Sequence, residues 1–455
     1  MNYKGSIYKQ FLYAFVSGAV ITLALQGAAY AQTTKKLTLN EAISLSIQHS
    51  KQLKLSQAKI AEAGASLKEA YERQLPDVSI SGSYLRLLQP NIDLKLKMGN
   101  DSSGNKGGGS PNVNQAAYAM ANVSLPIFSG FMIQSGKASA RYLAEAAKLD
   151  ADKNREDVIQ NTIAAYCNLY KAKAAVALVK ENQKESLQRV KDFTNLEKNG
   201  LLARNDLLKA QLQESNIELS LLDAESSLKI ANINMDLLLG LPEDVELEVD
   251  AATFQQDPVV DNRAVDEWEQ LALASRKDAA ALAAREKAAN AGIKAAKGEY
   301  YPAVAVTGGY IAAHIPEVMT ITNAVNAGIG LKYSPSSLWK TGSKVNGAKA
   351  RLEQVQANEE MLVDEIHLQI NQSYQNYVLS KKRIDTYAKA IEQADENYRI
   401  VKNKQVNNLA TTTDLLEADV ADLQAKLNYT FAKADALLAY KKLLQTAGVL
   451  ATDYK

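Results

Sequence analysis

Two carboxylates three residues apart, Asp414 and Glu417, follow a polar bend in the segment NLATTTDLLEAD at 408–419. On a helix that spacing puts both on one face, one turn beyond the bend. Taken alone, such a pair reads as two solvated carboxylates on a helix surface. A near copy of the bend, GLLARNDLLKAQ at 200–211, carries Asp206 and Lys209 in the matching places, so only the second copy is doubly acidic. The other reactive residues do not assemble into a site. Cys167 is the single cysteine, inside a helical pattern, and reads as a small core or interface residue. His49, His314 and His367 are isolated from it and from one another, leaving no zinc pattern and no cysteine–histidine pair; His314 falls at a strand end or in a short loop. The stretch GFMIQSGKAS at 130–139 resembles a phosphate loop, but five residues separate Gly130 from Gly136-Lys137, and Ala138 replaces the hydroxyl that would hold magnesium. No catalytic residue, cofactor or resident metal is expected.

What must position the two bends is a duplicated chain. Residues 1–31 read as a signal peptide: Lys4 and Lys9 precede an apolar stretch, and Ala29-Tyr30-Ala31 forms an A-x-A cleavage site before Gln32. The formal net charge is +1, and loss of two lysines with the leader leaves −1. That balance argues against a nucleic-acid partner. Beyond the leader no apolar run approaches the roughly 20 residues of a spanning helix, so a membrane crossing would require a closed β-barrel.

A first repeat spans 32–242, a connector in an equatorial region 243–265, a second repeat 266–445 and a C-terminal tail 446–455. Each repeat reads as short helix, two strands, long helix, bend, short helix. Pro76, Val78, Gly82 and Tyr84 match Pro302, Val304, Gly308 and Tyr310 at one constant offset. The alternation in VSISGSYLRLL, AAYAMANVSLPIF, AVAVTGGYIAA and TNAVNAGIGLKYS marks the strands, and GNDSSGNKGGGSPN at 99–112 reads as a flexible loop. A long helix from about Gly136 to Asn199 would be roughly 95 Å long, matched by two short helices stacked end to end, with strands opposite the bend. A narrow seam runs from Leu362 through Ile366, Ile370 and Tyr377 to Val401; its partner after the bend is read as Leu416, Val420, Leu423, Leu427, Phe431 and Leu438. The predicted class is mostly α with a small β part, internally duplicated. Four strands per chain cannot close in lipid, whereas two or three copies would supply about eight or twelve. Aromatic residues near the strand ends, among them Tyr84, Phe128, Phe131, Tyr301 and Trp339, suit an interfacial girdle.

In order and duplication, LTLNEAISLSIQHS, the strand starts after Pro76 and Pro302, LPIFSG, NGLLARNDLLKAQ and LLLGLP together resemble the TolC-like outer-membrane efflux proteins over nearly the whole mature chain. The resemblance implies a homotrimer whose twelve-stranded outer-membrane barrel, in contact with outer-membrane lipid, continues into a long α-helical periplasmic tunnel. It implies an export duct of a tripartite efflux or type I secretion system, joined by a periplasmic adaptor to an inner-membrane pump such as an RND or ABC transporter. The bends become the tunnel tips. Asp414, Glu417 and Asp206 then fall at the pore constriction, with Gly200, Leu201, Asn408 and Leu409 as adaptor-contact tips. A basic latch residue of some relatives is Ala410 here, with Arg204 on the first tip instead. The rival reading is an exported coiled-coil or adhesin stalk with a small β cap; a diffusion porin would lack the long helices.

Overall fold

The computed structural model describes residues 35–88, 113–242, 245–255, 261–316 and 319–454. The leader and the 99–112 loop lie outside them. Strands are β1 (Lys35–Leu37), β2 (Asp77–Arg86), β3 (Gln115–Ser129), β4 (Leu247–Val249), β5 (Ala303–Ile315) and β6 (Met319–Lys332). Helices are α1 (Leu39–His49), α2 (Lys51–Glu72), α3 (Met132–Lys198), α4 (Arg204–Leu239), α5 (Val265–Ser275), α6 (Lys277–Lys297), α7 (Ser337–Val406) and α8 (Thr412–Thr446). The short helix expected at the start of each repeat is two helices, broken at Ser50 and at Arg276, both extended. At the first break the Ser50 hydroxyl accepts from Leu53 N–H (3.2 Å), and at the second Arg276 pairs with Asp278 (2.6 Å). The chain divides into two compact units, and α3 and α7 run through both.

One unit, residues 54–154 and 276–366, holds the large sheet. All four strands pair antiparallel in the order β2-β3-β5-β6, so β3 and β5 join the two repeats. Directly paired residues share a face, and the register sorts the side chains by chemistry. Val78, Ile80 and Tyr84 pair with Val123, Ala121 and Ala117, and that face continues through Val306 and Tyr310 to Val325, Ile329 and Leu331. It is bare within the chain: Ile80 is 83 % exposed, Val325 77 % and Ile329 78 %. The opposite face carries Ser79, Ser81, Asn122, Ser124, Thr307 and Asn326, interrupted by Tyr118 and Met120. A bare apolar face backed by a polar one is the reverse of a soluble sheet packed on a core. Strand β3 runs past Pro126, which has no N–H to give, and the register shifts between Pro126 and Phe128.

Helix α6 buries Ala281, Ala284, Ala288 and Ala291 at helical spacing. Residues this small let it lie close to α3, where Ser139 donates to the Ala288 carbonyl (3.0 Å) and Ala146 joins the alanine cluster. The turn from β3 into α3 needs two successive left-handed residues, Gly130 (φ 61°) and Phe131 (φ 64°). A Cβ on Gly130 would strike the carbonyl of Gly298.

The other unit comprises residues up to 53, 155–275 and from 367 onward. The connector is more structured than its sequence suggests: β4 pairs in parallel with β1. Buried Tyr166 on α3 pins that pair, donating to the Leu37 carbonyl (2.9 Å) and accepting from Asp250 N–H (3.1 Å). Ala447 and Leu450 are fully buried, so the residues after α8 pack into the fold. Ile366, Ile370 and Tyr377 are buried as the α7 seam predicts. The α8 stripe differs from expectation. Its buried face runs through Leu415, Ala418, Asp419, Asp422 and Ala425, while Val420 is 49 % exposed. Close approach there favours small residues and a buried ion pair, which displaces the larger side chains to the flanks.

Gly130→Ala should disrupt the strand–helix turn through both φ and collision, at a cost of about 2 kcal/mol or more. A lowered midpoint for thermal loss of the sheet signal checks it; Gly136→Ala, within a helix with open space at that Cβ, should not lower the midpoint and should raise stability by roughly 0.5–1 kcal/mol.

Candidate functional site

Both bends close by the same device. After α3, Gly200 takes φ 73° and Leu201 N–H donates to the Leu196 carbonyl (2.9 Å). After α7, Asn408 takes φ 57° and Leu409 N–H donates to the Lys404 carbonyl (2.8 Å). This is the left-handed ending in which the chain reaches back over the last helical turn. Glycine and asparagine tolerate the conformation best, which explains their presence at these two positions. It thrusts Leu201 and Leu409 outward, 71 % and 76 % exposed.

The helices that follow start differently. Helix α8 opens with a reciprocal cap: Thr411 Oγ1 accepts from Asp414 N–H (3.1 Å), and the Asp414 carboxylate accepts from Thr411 N–H (2.9 Å). Those hydrogen bonds, backbone first, hold the Asp414 carboxyl below the usual aspartate range. Glu417 is exposed one turn on. Helix α4 has no side-chain cap at Ala203. Asp206 pairs with Lys209 (3.6 Å), and Lys209 Nζ also donates to Thr413 Oγ1 (3.1 Å). One lysine therefore links the two bends. Arg204 turns back to Glu197 at the end of α3 (3.6 Å).

Behind the bends lies a cluster that no sequence motif announces. Arg189 on α3 pairs with Asp419 on α8 (2.9 Å), both side chains almost wholly buried. Arg189 also donates to the Tyr398 hydroxyl of α7 (3.2 Å), Tyr398 donates to Glu185 (3.1 Å), and Asn182 donates to Asp419 (3.1 Å). Burial alone would push the Arg189 guanidinium down, but hydrogen bonding and charge from Asp419 outweigh it and hold it up. Burial, with the Asp419 charge added, pushes the Tyr398 phenol up to about 12. Three helices from both repeats are thus tied by one charged group. Phe193, Leu207, Ala210 and Leu415 pack beside it. A cavity of about 840 Å³ opens against Arg189, Tyr398, Phe193, Leu201 and Leu202. The capping box has a local signal, Thr411-x-x-Asp414, that the sequence reading passed over, whereas the pair across 230 residues has none.

The remaining reactive residues are scattered. Cys167 is fully buried and burial pushes its thiol up to about 12, which makes it inert. His314 lies in β5 and faces Thr320 across the strands (2.9 Å), and His367 sits 3.0 Å from Glu269. Among the described residues no three histidine, cysteine or carboxylate side chains gather as metal ligands, and no helix is long and apolar enough to cross a membrane.

A duplicated helical chain with a bare apolar sheet face and paired helical bends defines a membrane channel of the TolC-like class. The chain belongs to the outer membrane efflux protein family, whose profile matches residues 42–241 and 268–449. Membership places it in the outer membrane, with a periplasmic extension. Outer membrane efflux protein BepC of Brucella suis is 20 % identical over 335 residues, covering 72 % of this chain and 71 % of that protein. The fold is shared with the outer membrane protein VceC of Vibrio cholerae, with TM-score 0.73 and 18 % identity over 90 % of this chain and 96 % of that one. The CmeC outer membrane channel of Campylobacter jejuni gives TM-score 0.74 and 17 % identity over 93 % and 91 %.

Asp419→Ala strands the buried Arg189 charge and should cost about 3–5 kcal/mol, read as a lower denaturant midpoint of the helical signal. Arg189→Met combined with Asp419→Leu should recover most of that loss. The Asp414 cap should also respond to pH. Its carboxyl is depressed in the folded chain, so the cap is fully present above the ordinary aspartate value of about 4 and is lost as pH falls through the lower folded value. Amide exchange at the start of α8, corrected for intrinsic rate, should accelerate over that acid range, and Asp414→Ala should remove the dependence.

Proposed function

We propose that the chain is a passive export duct, a homotrimer that conducts substrates from an inner-membrane pump and periplasmic adaptor to the exterior and performs no chemistry of its own. The observation that carries this is the sheet. Its lipid-compatible face is exposed, and its outer edges at β2 and β6 have no partner strand among the described residues. Unpaired backbone groups cost several kcal/mol each in lipid, and three chains would pair every edge in a barrel of about twelve strands. A second feature agrees. On α4, Leu208, Leu212, Leu219, Leu222, Ile230 and Leu237 are all exposed. They recur at near-heptad spacing, a second seam suited to a neighbouring helix.

Within that assembly the bends are the tunnel tips. Asp414, Glu417 and Asp206 set the charge of the constriction, attracting cations by acidic rings near the symmetry axis. The exposed Leu201 and Leu409, presented by Gly200 and Asn408, suit contact with an adaptor, because a large apolar side chain at a solvent-facing tip gains by being covered. Tripartite efflux with an RND pump and type I secretion with an ABC pump both fit this duct.

Light scattering on membrane-extracted protein, corrected for detergent, should give the mass of a trimer; a monomer soluble without detergent would reject the duct. In planar bilayers, Asp414→Asn with Glu417→Gln should lower cation-over-anion preference several-fold while the trimer mass stays unchanged. An unaltered preference would remove these acids from the constriction.

A further inference from the structure

A second cavity, of about 650 Å³, sits where β3 turns into α3 and α6 leads towards β5. Its lining has two characters. Lys287, Lys294 and Lys297, within three turns of α6, supply the cationic part, and all three are exposed. Phe131, Tyr142 and Tyr301 supply the aromatic part. Among the described residues none of the three lysines has an ion pair. The carboxylates nearest in sequence are engaged elsewhere: Glu286 accepts from Gln356 (3.1 Å), and Glu299 is held by Lys344 (2.7 Å) and Thr341 (3.3 Å). Asp150, on the α3 face packed against α6, is held by Arg285. The cationic part is therefore left without a counter-charge.

The aromatic part continues the apolar side of the sheet. Phe128 pairs with Val304, on the face that carries Val306 and Tyr310. Phe131 meets Phe128 edge to face (centroids 5.3 Å) and Tyr301 likewise (6.3 Å). Phe131 and Tyr301 are more than half exposed, one of them in a left-handed conformation that projects it from the turn. Aromatic rings of this kind settle at the headgroup level of a bilayer, where basic side chains beside them meet lipid phosphates. The cavity is of ordinary ligand size, and it opens at the end of the strands where the sheet gives way to helix.

We propose that this cavity is a binding site for an anionic glycerophospholipid, with its phosphate on Lys287, Lys294 and Lys297 and its acyl chains along Phe131, Phe128, Tyr301 and the apolar sheet face. The proposal rests on the reading of that face as lipid-facing. A free phosphate would satisfy the lysines alone, and it would leave the aromatic part and its continuity with the sheet without a use. A neutral zwitterionic lipid would satisfy the rings and leave three positive charges uncompensated.

The test uses the full mature chain in detergent, incubated with phosphatidylglycerol or phosphatidylethanolamine of identical acyl chains and read by native mass spectrometry. Phosphatidylglycerol should be retained about tenfold more strongly, as three lysines near one anionic headgroup imply. The variant Lys287→Gln/Lys294→Gln/Lys297→Gln should lose that preference, and excess inorganic phosphate should fail to displace the lipid. Equal retention of the two lipids, or a preference the variant keeps, overturns the site. Displacement by phosphate alone overturns it as well, reassigning the lysines to a free anion. Flotation with phosphatidylethanolamine vesicles separates the two layers of the reading. A chain that floats but shows no lipid preference loses only this site, whereas a chain that floats with no vesicle loses the lipid-facing sheet and the site together.

Discussion

The outer edges of β2 and β6 present backbone donors and acceptors that no strand among the described residues pairs, and in hydrocarbon no water can take the place of a partner. Much else in the architecture answers to that constraint. Each repeat contributes two strands to this sheet, and the β3–β5 ladder fuses the pairs, so that among the described residues β2 and β6 are left as its edges. Side chains on the two faces are largely sorted, so that Val78, Ile80, Val306, Val325 and Ile329 meet one environment and Ser79, Ser81, Asn122, Thr307 and Asn326 the other. Membership of the outer membrane efflux protein family accounts for that sorting, because a membrane sheet needs an apolar exterior and tolerates a wet interior.

The bend-bearing unit solves a different problem, which is to end two very long helices and start two more without losing the register between them. Left-handed residues at Gly200 and Asn408 end the first helix of each pair in the same way. The restarts are unequal, since α8 is capped by Thr411 and Asp414 and α4 has no side-chain cap. As a cap the Asp414 carboxylate is held close to the backbone, which also fixes where its charge sits. The buried Arg189–Asp419 pair lies deeper and couples α3 to α8, with Tyr398 of α7 drawn in. A desolvated charge pair of this kind adds little net stability against a well-packed apolar alternative, but it penalises every arrangement that separates the partners. It therefore specifies how the two repeats meet.

Much of this was legible in the sequence because it is periodic or local. Period-two alternation located the four long strands, and a matching offset from Pro76 to Pro302 exposed the duplication. Gly200 and Asn408 announced left-handed turns, and the α7 seam from Ile366 to Tyr377 is buried as its spacing implied. The breaks at Ser50 and Arg276 went unseen because neither residue is a strong helix breaker. The β1–β4 pair went unseen because three-residue strands carry no periodic signal and depend on Tyr166 reaching across from α3.

The sequence by itself determined the kinds of elements, their order, their twofold repetition and the chemistry of each sheet face, since these follow from backbone propensity and the spacing of apolar residues along one chain. Tertiary structure alone decided which face of α8 is buried, that Arg189 meets Asp419, and that three lysines of α6 line one cavity with Phe131 and Tyr301. Those facts depend on how closely particular helices approach and on contacts between residues far apart in the chain, and nothing in the local pattern around any one of them encodes its partner.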